Sequence, residues 1–163
     1  MIELPPIDLA YLAGMIDADG YIGANISRTK RYVGATVGIT GCRREPHDLA
    51  VQLFGGQVST YLPKHDRAGH RPQHHWQRTG QQTVPVITAV LPYLRVKRDQ
   101  AYAALELQER VAERRLERTS EDPYPWFGPD YDPFEHLVDF AVSEVQVRNL
   151  RGHARLAAMG AGS

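Results

Sequence analysis

Two aspartates, Asp17 and Asp19, stand at the end of an apolar stretch near the start of the chain. The stretch reads as a helix, and Gly20 after it is typical of a helix terminus. Asp19 would then lie at the negative end of the helix dipole, where a carboxylate costs roughly 0.3 kcal/mol or more. A bound cation removes that cost, and carboxylate oxygens suit Mg²⁺. The pair indicates a divalent-metal site, and the alternative is a buried helix ending in an Asp-Gly turn.

Small residues recur at helical spacing in the same stretch, at Ala10, Ala13 and Gly14. Ala10 and Gly14 lie on one helix face, because they are four residues apart. A face without bulky side chains lets a second backbone approach closely. If the partner is a copy of the chain, a twofold axis brings two Asp19 carboxylates together. We therefore expect a homodimer that forms through the first helix.

Charge is distributed unevenly along a chain of zero net charge. Residues 21–98 carry 12 basic and 3 acidic side chains, whereas residues 99–163 carry 7 basic and 12 acidic ones. A basic block inside a neutral chain is typical of a surface that binds a polyanion. The alternative is a solvated basic surface without a partner.

Composition excludes several classes of protein. The 163 residues suit one compact domain, and no apolar run is long enough to span a membrane. The single cysteine, Cys42, permits no internal disulfide, and no signal peptide is visible. The histidines at positions 47, 65, 70, 74 and 75 lack the regular spacing of zinc ligands. Contacts to phosphates or bases are favoured for those near the basic loop that residues 65–72 are expected to form. We expect an intracellular protein that is neither secreted nor bound to a membrane.

Hydrophobic periodicity predicts an α+β fold. It predicts helices over residues 7–18, 42–54, 81–91, 96–118 and 134–156. Asp8 is the expected N-cap of the first helix, and Leu49, Leu53 and Phe54 are the expected core residues of the second. Alternation predicts strands over residues 21–28, 32–40, 57–64 and 73–79. The two hairpins should form one four-stranded antiparallel sheet with helices on one face and a polar face left open.

Residues 12–20 read Leu-Ala-Gly-Met-Ile-Asp-Ala-Asp-Gly. This stretch resembles the signature of the LAGLIDADG homing endonucleases and departs from the family name only at Met15. The resemblance implies an αββαββα fold whose sheet forms a saddle along the major groove of DNA. It covers about residues 7–118, which we expect to form the endonuclease core. Residues 119–163 would be an extension with an aromatic, proline-rich loop, in which Trp126 and Phe127 contact the body, followed by a C-terminal helix and a frayed tail from residue 157.

The resemblance also implies roles for individual residues. Asp19 matches the acid that binds divalent metal in the family, with the Ala18 carbonyl as a further ligand, and Asp17 matches a supporting acid. Lys97 falls at the position of an active-site lysine. Some members carry a glutamine near the cleaved phosphate where this chain has Gly41, so Arg43 or Arg44 would have to hold the attacking water. The implied cofactor is Mg²⁺, and Mn²⁺ or Ca²⁺ would substitute for binding.

One copy of the motif supplies half of a site, so a homodimer would cleave a near-palindromic target in double-stranded DNA. Such a protein would be encoded by a mobile element such as an intron or phage. The alternative is a non-catalytic nucleic-acid binder on the same fold, either an RNA intron maturase or a DNA-binding repressor. The side chains expected to face DNA lie on the two hairpins and just beyond the first: Asn25, Ser27, Thr29, Lys30, Arg31, Thr36, Thr40, Arg44, Ser59, Tyr61, Lys64, His65, His75 and Gln77.

Overall fold

The computed structural model describes residues 3–62, 71–117 and 132–146. Four strands form one antiparallel sheet in the order β1-β2-β4-β3, where β1 is Gly20–Ser27, β2 is Tyr32–Gly41, β3 is Val58–Tyr61 and β4 is Gln73–Thr79. Five α-helices accompany the sheet within the described ranges: α1 (Pro6–Asp19), α2 (Glu45–Phe54), α3 (Thr83–Val90), α4 (Arg98–Glu117) and α5 (Pro133–Phe140). The α+β fold with a four-stranded antiparallel sheet is therefore confirmed.

Helix α1 begins at Pro6, a position that suits proline because the first N–H of a helix has no partner in the helix. The expectation that Asp8 caps this helix is wrong, since Pro5 occupies the N-cap position and no side chain bonds there. Asp8 lies instead in the first turn, where the helix dipole favours an acid. The buried residues follow helical spacing, at Leu9, Leu12, Ala13 and Ile16.

Gly20 joins α1 to the sheet at a point where two backbones nearly touch. A Cβ atom at this position would lie 2.6 Å from the Gly38 carbonyl oxygen and 2.7 Å from the Ile16 Cα atom. Any side chain would therefore push the end of α1 away from β2. The glycine after the second aspartate is required by packing, and it fixes that aspartate relative to the sheet.

The predicted alternation of β2 is confirmed, because Val33, Ala35, Val37 and Ile39 are all buried. Trp76 on β4 pairs with Ile39 across the sheet, is fully buried and donates its indole N–H to the Gly55 carbonyl at 2.9 Å. These buried residues of β2 and β4 face the helices. The residues that alternate with them along each strand therefore form the open face of the sheet. No helix of the described ranges is long and apolar enough to cross a membrane.

Several element boundaries differ from expectation. Helix α2 begins at Glu45 rather than at residue 42, and its buried residues are Pro46, His47 and Ala50. Leu53 and Phe54 pack only partly against the core, so their expected central role is corrected. Single-turn 3₁₀ helices, Gly80–Gln82 and Leu91–Tyr93, flank α3 and shorten it. Pro92 lies in the second of these, because proline cannot donate the hydrogen bond that would continue the α-helix.

The segment from Asp132 to Gln146 belongs to the same hydrophobic core as the rest of the chain. Asp132 caps α5 by accepting a hydrogen bond from the Phe134 N–H at 2.9 Å, and a π-helical turn, Ala141–Gln146, continues it. The core residues of this segment are Phe134, Leu137, Val138, Ala141 and Val145. The expected loop with Trp126 and Phe127, the end of the final helix and the tail lie outside the described residues.

Candidate active site and nucleic-acid interface

The Asp17 side chain joins the end of α1 to the segment that precedes α4. Its Oδ2 accepts hydrogen bonds from the N–H groups of Arg95 at 2.7 Å and Val96 at 3.1 Å, and its Oδ1 accepts one from the Lys97 N–H at 3.0 Å. Burial raises the pKa of this carboxyl, but the three N–H groups and the Lys97 charge outweigh it, so the pKa is lowered from its ordinary value. Asp17 is thus an ionised group whose oxygens are engaged in the fold.

Lys97 completes this junction from the opposite direction. Its side chain is buried, with 5% exposed, and Nζ donates to the carbonyl oxygens of Ile16 at 2.8 Å and Asp17 at 2.6 Å. The last carbonyls of a helix have no partner within the helix and carry its negative dipole end. The buried ammonium therefore satisfies the C-terminal end of α1, directly before Asp19.

Asp19 is the last residue of α1, and its side chain is exposed. Among the residues that the structure describes, none hydrogen-bonds or ion-pairs with its carboxylate. Ala18 beside it is exposed as well, and neither Lys97 bond goes to the Ala18 carbonyl. Two aspartates of one motif thus have different environments, and only Asp19 presents its carboxylate outward.

The described residues contain no group of three His, Cys, Asp or Glu side chains that could hold a metal ion. Mg²⁺ does not require such a group, because it is commonly held by one or two carboxylates, waters and substrate phosphates. An exposed carboxylate without a partner fits this mode of binding. The residues that could hold the ion are Asp19, through its side chain, and Ala18, through its carbonyl oxygen.

Gly41, at the end of β2, has room for a side chain. A Cβ atom there would lie 3.9 Å from the Cε1 atom of His47, which is an ordinary contact distance. Arg43 is exposed, and Arg44 forms an exposed ion pair with Asp48 at 2.8 Å. Both arginines lie in the connection between β2 and α2, three residues or fewer from Gly41.

The open face of the sheet carries a hydrogen-bonded group that the sequence did not indicate. The Tyr21 hydroxyl lies 2.9 Å from the Gln77 Oε1 and 2.9 Å from the His75 Nε2, and the Tyr21 and His75 rings are stacked. Burial raises the pKa of Tyr21, and a hydrogen bond with the Thr36 side chain offsets this only in part. The predicted placement of His75 and Gln77 opposite the buried Trp76 agrees with this arrangement.

The other polar side chains predicted to face DNA take several environments. On the open face, Asn25 and Thr40 are exposed, and Ser59 and Tyr61 pair in register with His75 and Gln73. In the hairpin turn, Thr29 and Lys30 are exposed, and the Ser27 hydroxyl accepts the Lys30 N–H at 3.3 Å. Lys64 and His65 lie outside the described residues.

The arginines at the tip of the β1–β2 hairpin contact acidic residues near the start of α5. Arg28 pairs with Glu135 at 2.7 Å, and Arg31 pairs with Asp132 at 2.8 Å. The Arg31 guanidinium also lies over the Phe134 ring, 4.8 Å from its centroid. The hydrogen bond from Arg31, followed by the Phe134 N–H, holds the pKa of the Asp132 carboxyl below its ordinary value. A cation predicted to bind DNA phosphate is thus engaged within the chain.

Two histidines of the basic block, His47 on α2 and His74 on β4, contact each other between helix and sheet. His47 on α2 is buried, donates from Nδ1 to the Arg43 carbonyl at 2.8 Å and has no partner for Nε2 in the described structure. Its ring meets the His74 ring edge to face, with centroids 5.8 Å apart, and the His74 Nδ1 is 2.9 Å from the Thr60 hydroxyl. The expectation that His74 contacts phosphate or base is therefore corrected. Burial lowers the pKa of His47.

The outward face of α1 carries two large apolar side chains as well as small residues. Ile7 is 83% exposed and Tyr11 is 50% exposed, and Ala10 and Gly14 are exposed between and beyond them. A Cβ atom at Gly14 would have no atom within 4 Å. The expectation that Ala13 belongs to this face is corrected, because its side chain is fully buried in the core of its own chain.

Comparisons with known proteins match this architecture to one group of structures. The homing endonuclease I-CvuI, in complex with a DNA target and Mg, has a TM-score of 0.60 and 17% identity over 96% of both chains. The homing endonuclease I-TnaI has a TM-score of 0.53 and 15% identity over 98% of this chain and 99% of its own. The LAGLIDADG homing endonuclease I-GzeII, in complex with DNA, has a TM-score of 0.55 and 11% identity over 86% of this chain and 43% of its own.

No protein-family model matches the chain, and no curated protein matches its sequence. The structural matches confirm the resemblance drawn from residues 12–20. The chain has the fold of the LAGLIDADG homing endonucleases, with the motif at the junction of α1 and β1 and the open sheet face beside it.

Proposed function

We propose that this chain is a site-specific DNA endonuclease that hydrolyses phosphodiester bonds of a long, near-palindromic target with Mg²⁺, as a homodimer. The observation that carries the proposal is the contrast between the two aspartates. Asp17 is engaged by three backbone N–H groups, whereas Asp19 ends α1 with an exposed carboxylate that has no partner among the described residues. A carboxylate placed against the helix dipole has no evident structural role, and a divalent cation would remove its cost.

Mg²⁺ bound at Asp19 and Ala18 would supply a water of lowered pKa and stabilise charge on the phosphate. The chain itself would hold the DNA on the open face of its sheet and fix Asp19 through the Gly20 contact with β2. Lys97, at the same helix end, would contribute positive charge. Arg43 is exposed and lies two residues after Gly41, the position where some family members carry glutamine, so we assign it to holding water.

The test is cleavage of a plasmid that carries the uninterrupted allele of the host locus, with Mg²⁺ and with a chelator. We expect cleavage only with Mg²⁺, and a loss of about a hundredfold or more in Asp19→Asn, because metal-ion catalysis contributes several kcal/mol. Binding of DNA by Asp19→Asn should persist. Asp139→Asn, an exposed aspartate on α5, is the matched control and should cleave normally.

The alternative is a nucleic-acid binder on the same fold that performs no cleavage, either a maturase or a repressor. If the unmodified protein binds the plasmid in Mg²⁺ without cutting it, and Asp19→Asn binds equally, the endonuclease proposal is wrong. Splicing of the host intron transcript in the presence of the protein would then identify a maturase.

The homodimer is supported by the outward face of α1, where Ile7, Ala10, Tyr11 and Gly14 form an exposed stripe at helical spacing. Gly14→Arg should fold, since no atom lies within 4 Å of the added Cβ, but it should block close approach of a second helix. We expect the unmodified protein to sediment as a dimer and Gly14→Arg as a monomer. Gln52→Arg, on the exposed side of α2, is the control, and a monomeric unmodified protein, with and without DNA, would contradict the model.

A further inference from the structure

Tyr21 crosses the middle of the open face. It lies on β1 opposite Gly38 of β2, and its hydroxyl reaches His75 and Gln77 on β4, the strand beyond. A Cβ atom at Gly38 would lie 2.6 Å from the Tyr21 hydroxyl oxygen and 2.7 Å from its Cζ atom. The tyrosine ring therefore fits only because residue 38 has no side chain.

The hydrogen bonds of this group have a defined direction. A phenol has one proton, and the Gln77 Oε1 can only accept, so Tyr21 donates to Gln77. The contact of 2.9 Å between the Tyr21 hydroxyl and the His75 Nε2 then requires the imidazole to donate. The phenol keeps this proton at neutral pH because the ordinary pKa of tyrosine is about 10, and burial raises the pKa of Tyr21 further. The Tyr21 hydroxyl thus donates one hydrogen bond, to Gln77, and accepts another, from His75.

The hydrogen bond from Tyr21 limits which groups of the Gln77 amide can contact a base. A free glutamine recognises adenine by accepting from N6 with its oxygen while donating to N7 with its nitrogen. That contact needs both ends of the amide on one base edge, and Tyr21 holds the oxygen end of Gln77 toward β1. The two N–H groups of Nε2 remain. Guanine presents two acceptors in the major groove, N7 and O6, whereas adenine presents one acceptor and one donor.

We propose that Tyr21 is a specificity-determining positioning residue that restricts Gln77 to hydrogen-bond donation, so that the protein prefers guanine to adenine at the base that Gln77 contacts. This inference rests on the proposed binding of DNA by the open face. It concerns how one base pair is distinguished, and it does not depend on cleavage.

The test is selection of bound duplexes from a randomised library by the full-length protein, followed by competition binding with each base at every selected position. Tyr21→Phe keeps the ring over Gly38 and removes only the hydroxyl. We expect the preference for guanine over adenine at one position of each half-site to fall at least about fivefold, since a bidentate contact discriminates by roughly 1–3 kcal/mol. Preferences elsewhere and the salt dependence of binding should remain.

Gln77→Glu identifies the base pair independently of Tyr21. A glutamate offers only acceptors, so we expect cytosine, which presents the N4 donor, to be preferred at the same position. Tyr102→Phe, at an exposed position of α4 outside the sheet, is the matched control and should leave all preferences unchanged. Unchanged preference in Tyr21→Phe at the position that Gln77→Glu alters would overturn the inference while leaving DNA binding intact. Failure of the unmodified protein to select any duplex would overturn both proposals.

Discussion

Asp17 and Lys97 hold each other through their backbones as well as their side chains. The Asp17 carboxylate accepts the Lys97 N–H at 3.0 Å, and the Lys97 ammonium donates to the Asp17 carbonyl oxygen at 2.6 Å. Asp17 thus accepts an N–H just before α4, and Lys97 donates to a carbonyl in the last turn of α1. The end of α1 and the start of α4 are therefore held together. Asp19, two residues after Asp17, is positioned by these contacts.

Asp17→Asn should destabilise the fold by about 2 kcal/mol at neutral pH, because an amide leaves at least one of three N–H donors without an acceptor and hydrogen bonds to a charged group are stronger than neutral ones. The folded-state pKa of Asp17 is lowered, so its contribution is present above the ordinary value, about 3.9, and is lost as the pH falls through the folded value. Urea unfolding at pH 7 and in acid measures both effects. Asp139→Asn should match the unmodified protein, and a difference that persists undiminished in acid would contradict this assignment.

His47 should make the fold sensitive to mild acid. Because burial lowers its folded-state pKa, the unfolded chain binds a proton first as the pH falls below about 6.5. Stability is therefore fully present above that value and declines below it. His47→Gln should reduce the decline in urea-unfolding free energy between pH 7.5 and 5.5, whereas His136→Gln, at an exposed position of α5, should not. An equal decline in both variants would exclude His47 as the cause.

Gly41→Gln should raise the cleavage rate by about tenfold or more if the missing glutamine limits the proposed reaction, since a well-positioned proton-transfer or water-holding group contributes at least this much. The space beside Gly41, whose added Cβ would lie 3.9 Å from His47, allows the substitution without loss of stability. Gly41→Ala separates the side-chain function from a change in the backbone. Single-turnover cleavage is the measurement, and equal rates for Gln, Ala and Gly at this position would show that water is held elsewhere.

Asp132→Asn with Glu135→Gln should raise DNA affinity severalfold, because both carboxylates engage arginines at the hairpin tip. Asparagine is also a good N-cap, so α5 should remain capped. Binding curves at fixed salt test this prediction, with Asp139→Asn as the control for removal of an acid from the same helix. An unchanged or lower affinity would show that Arg28 and Arg31 do not approach phosphate.

The sequence predicted those parts of the molecule that depend on near neighbours. Strand alternation placed Val33 and Ile39 inward, and the motif placed Asp17 and Asp19 at a helix end beside a strand. Contacts between distant residues were not accessible to it. Tyr21 and Gln77 are 56 residues apart, and only the strand register through Gly38 brings them together. Arg31 and Asp132 are 101 residues apart, across a segment that the family resemblance does not cover.

Asp8 and Ala13 show a second limit of sequence reasoning. An acid near a helix start predicts an N-cap, but Pro5 occupies the N-cap position, three residues before Asp8. A small residue at helical spacing predicts close packing without indicating the partner. Ala13 packs against its own chain, whereas Ala10 and Gly14 lie exposed.

The ion pairs at the hairpin tip alter the thermodynamics expected for polyanion binding. A basic side chain that meets DNA usually gains entropy, because ions condensed on the phosphates diffuse into solution. Asp132 and Glu135 are the partners of Arg31 and Arg28, and both are part of the protein chain. When DNA displaces them, a side chain is released instead of an ion that diffuses into solution, so less entropy is gained. The cost of breaking these two ion pairs therefore offsets part of the attraction between the hairpin tip and phosphate. This cost disfavours non-specific binding more than a specific complex that makes the full set of contacts.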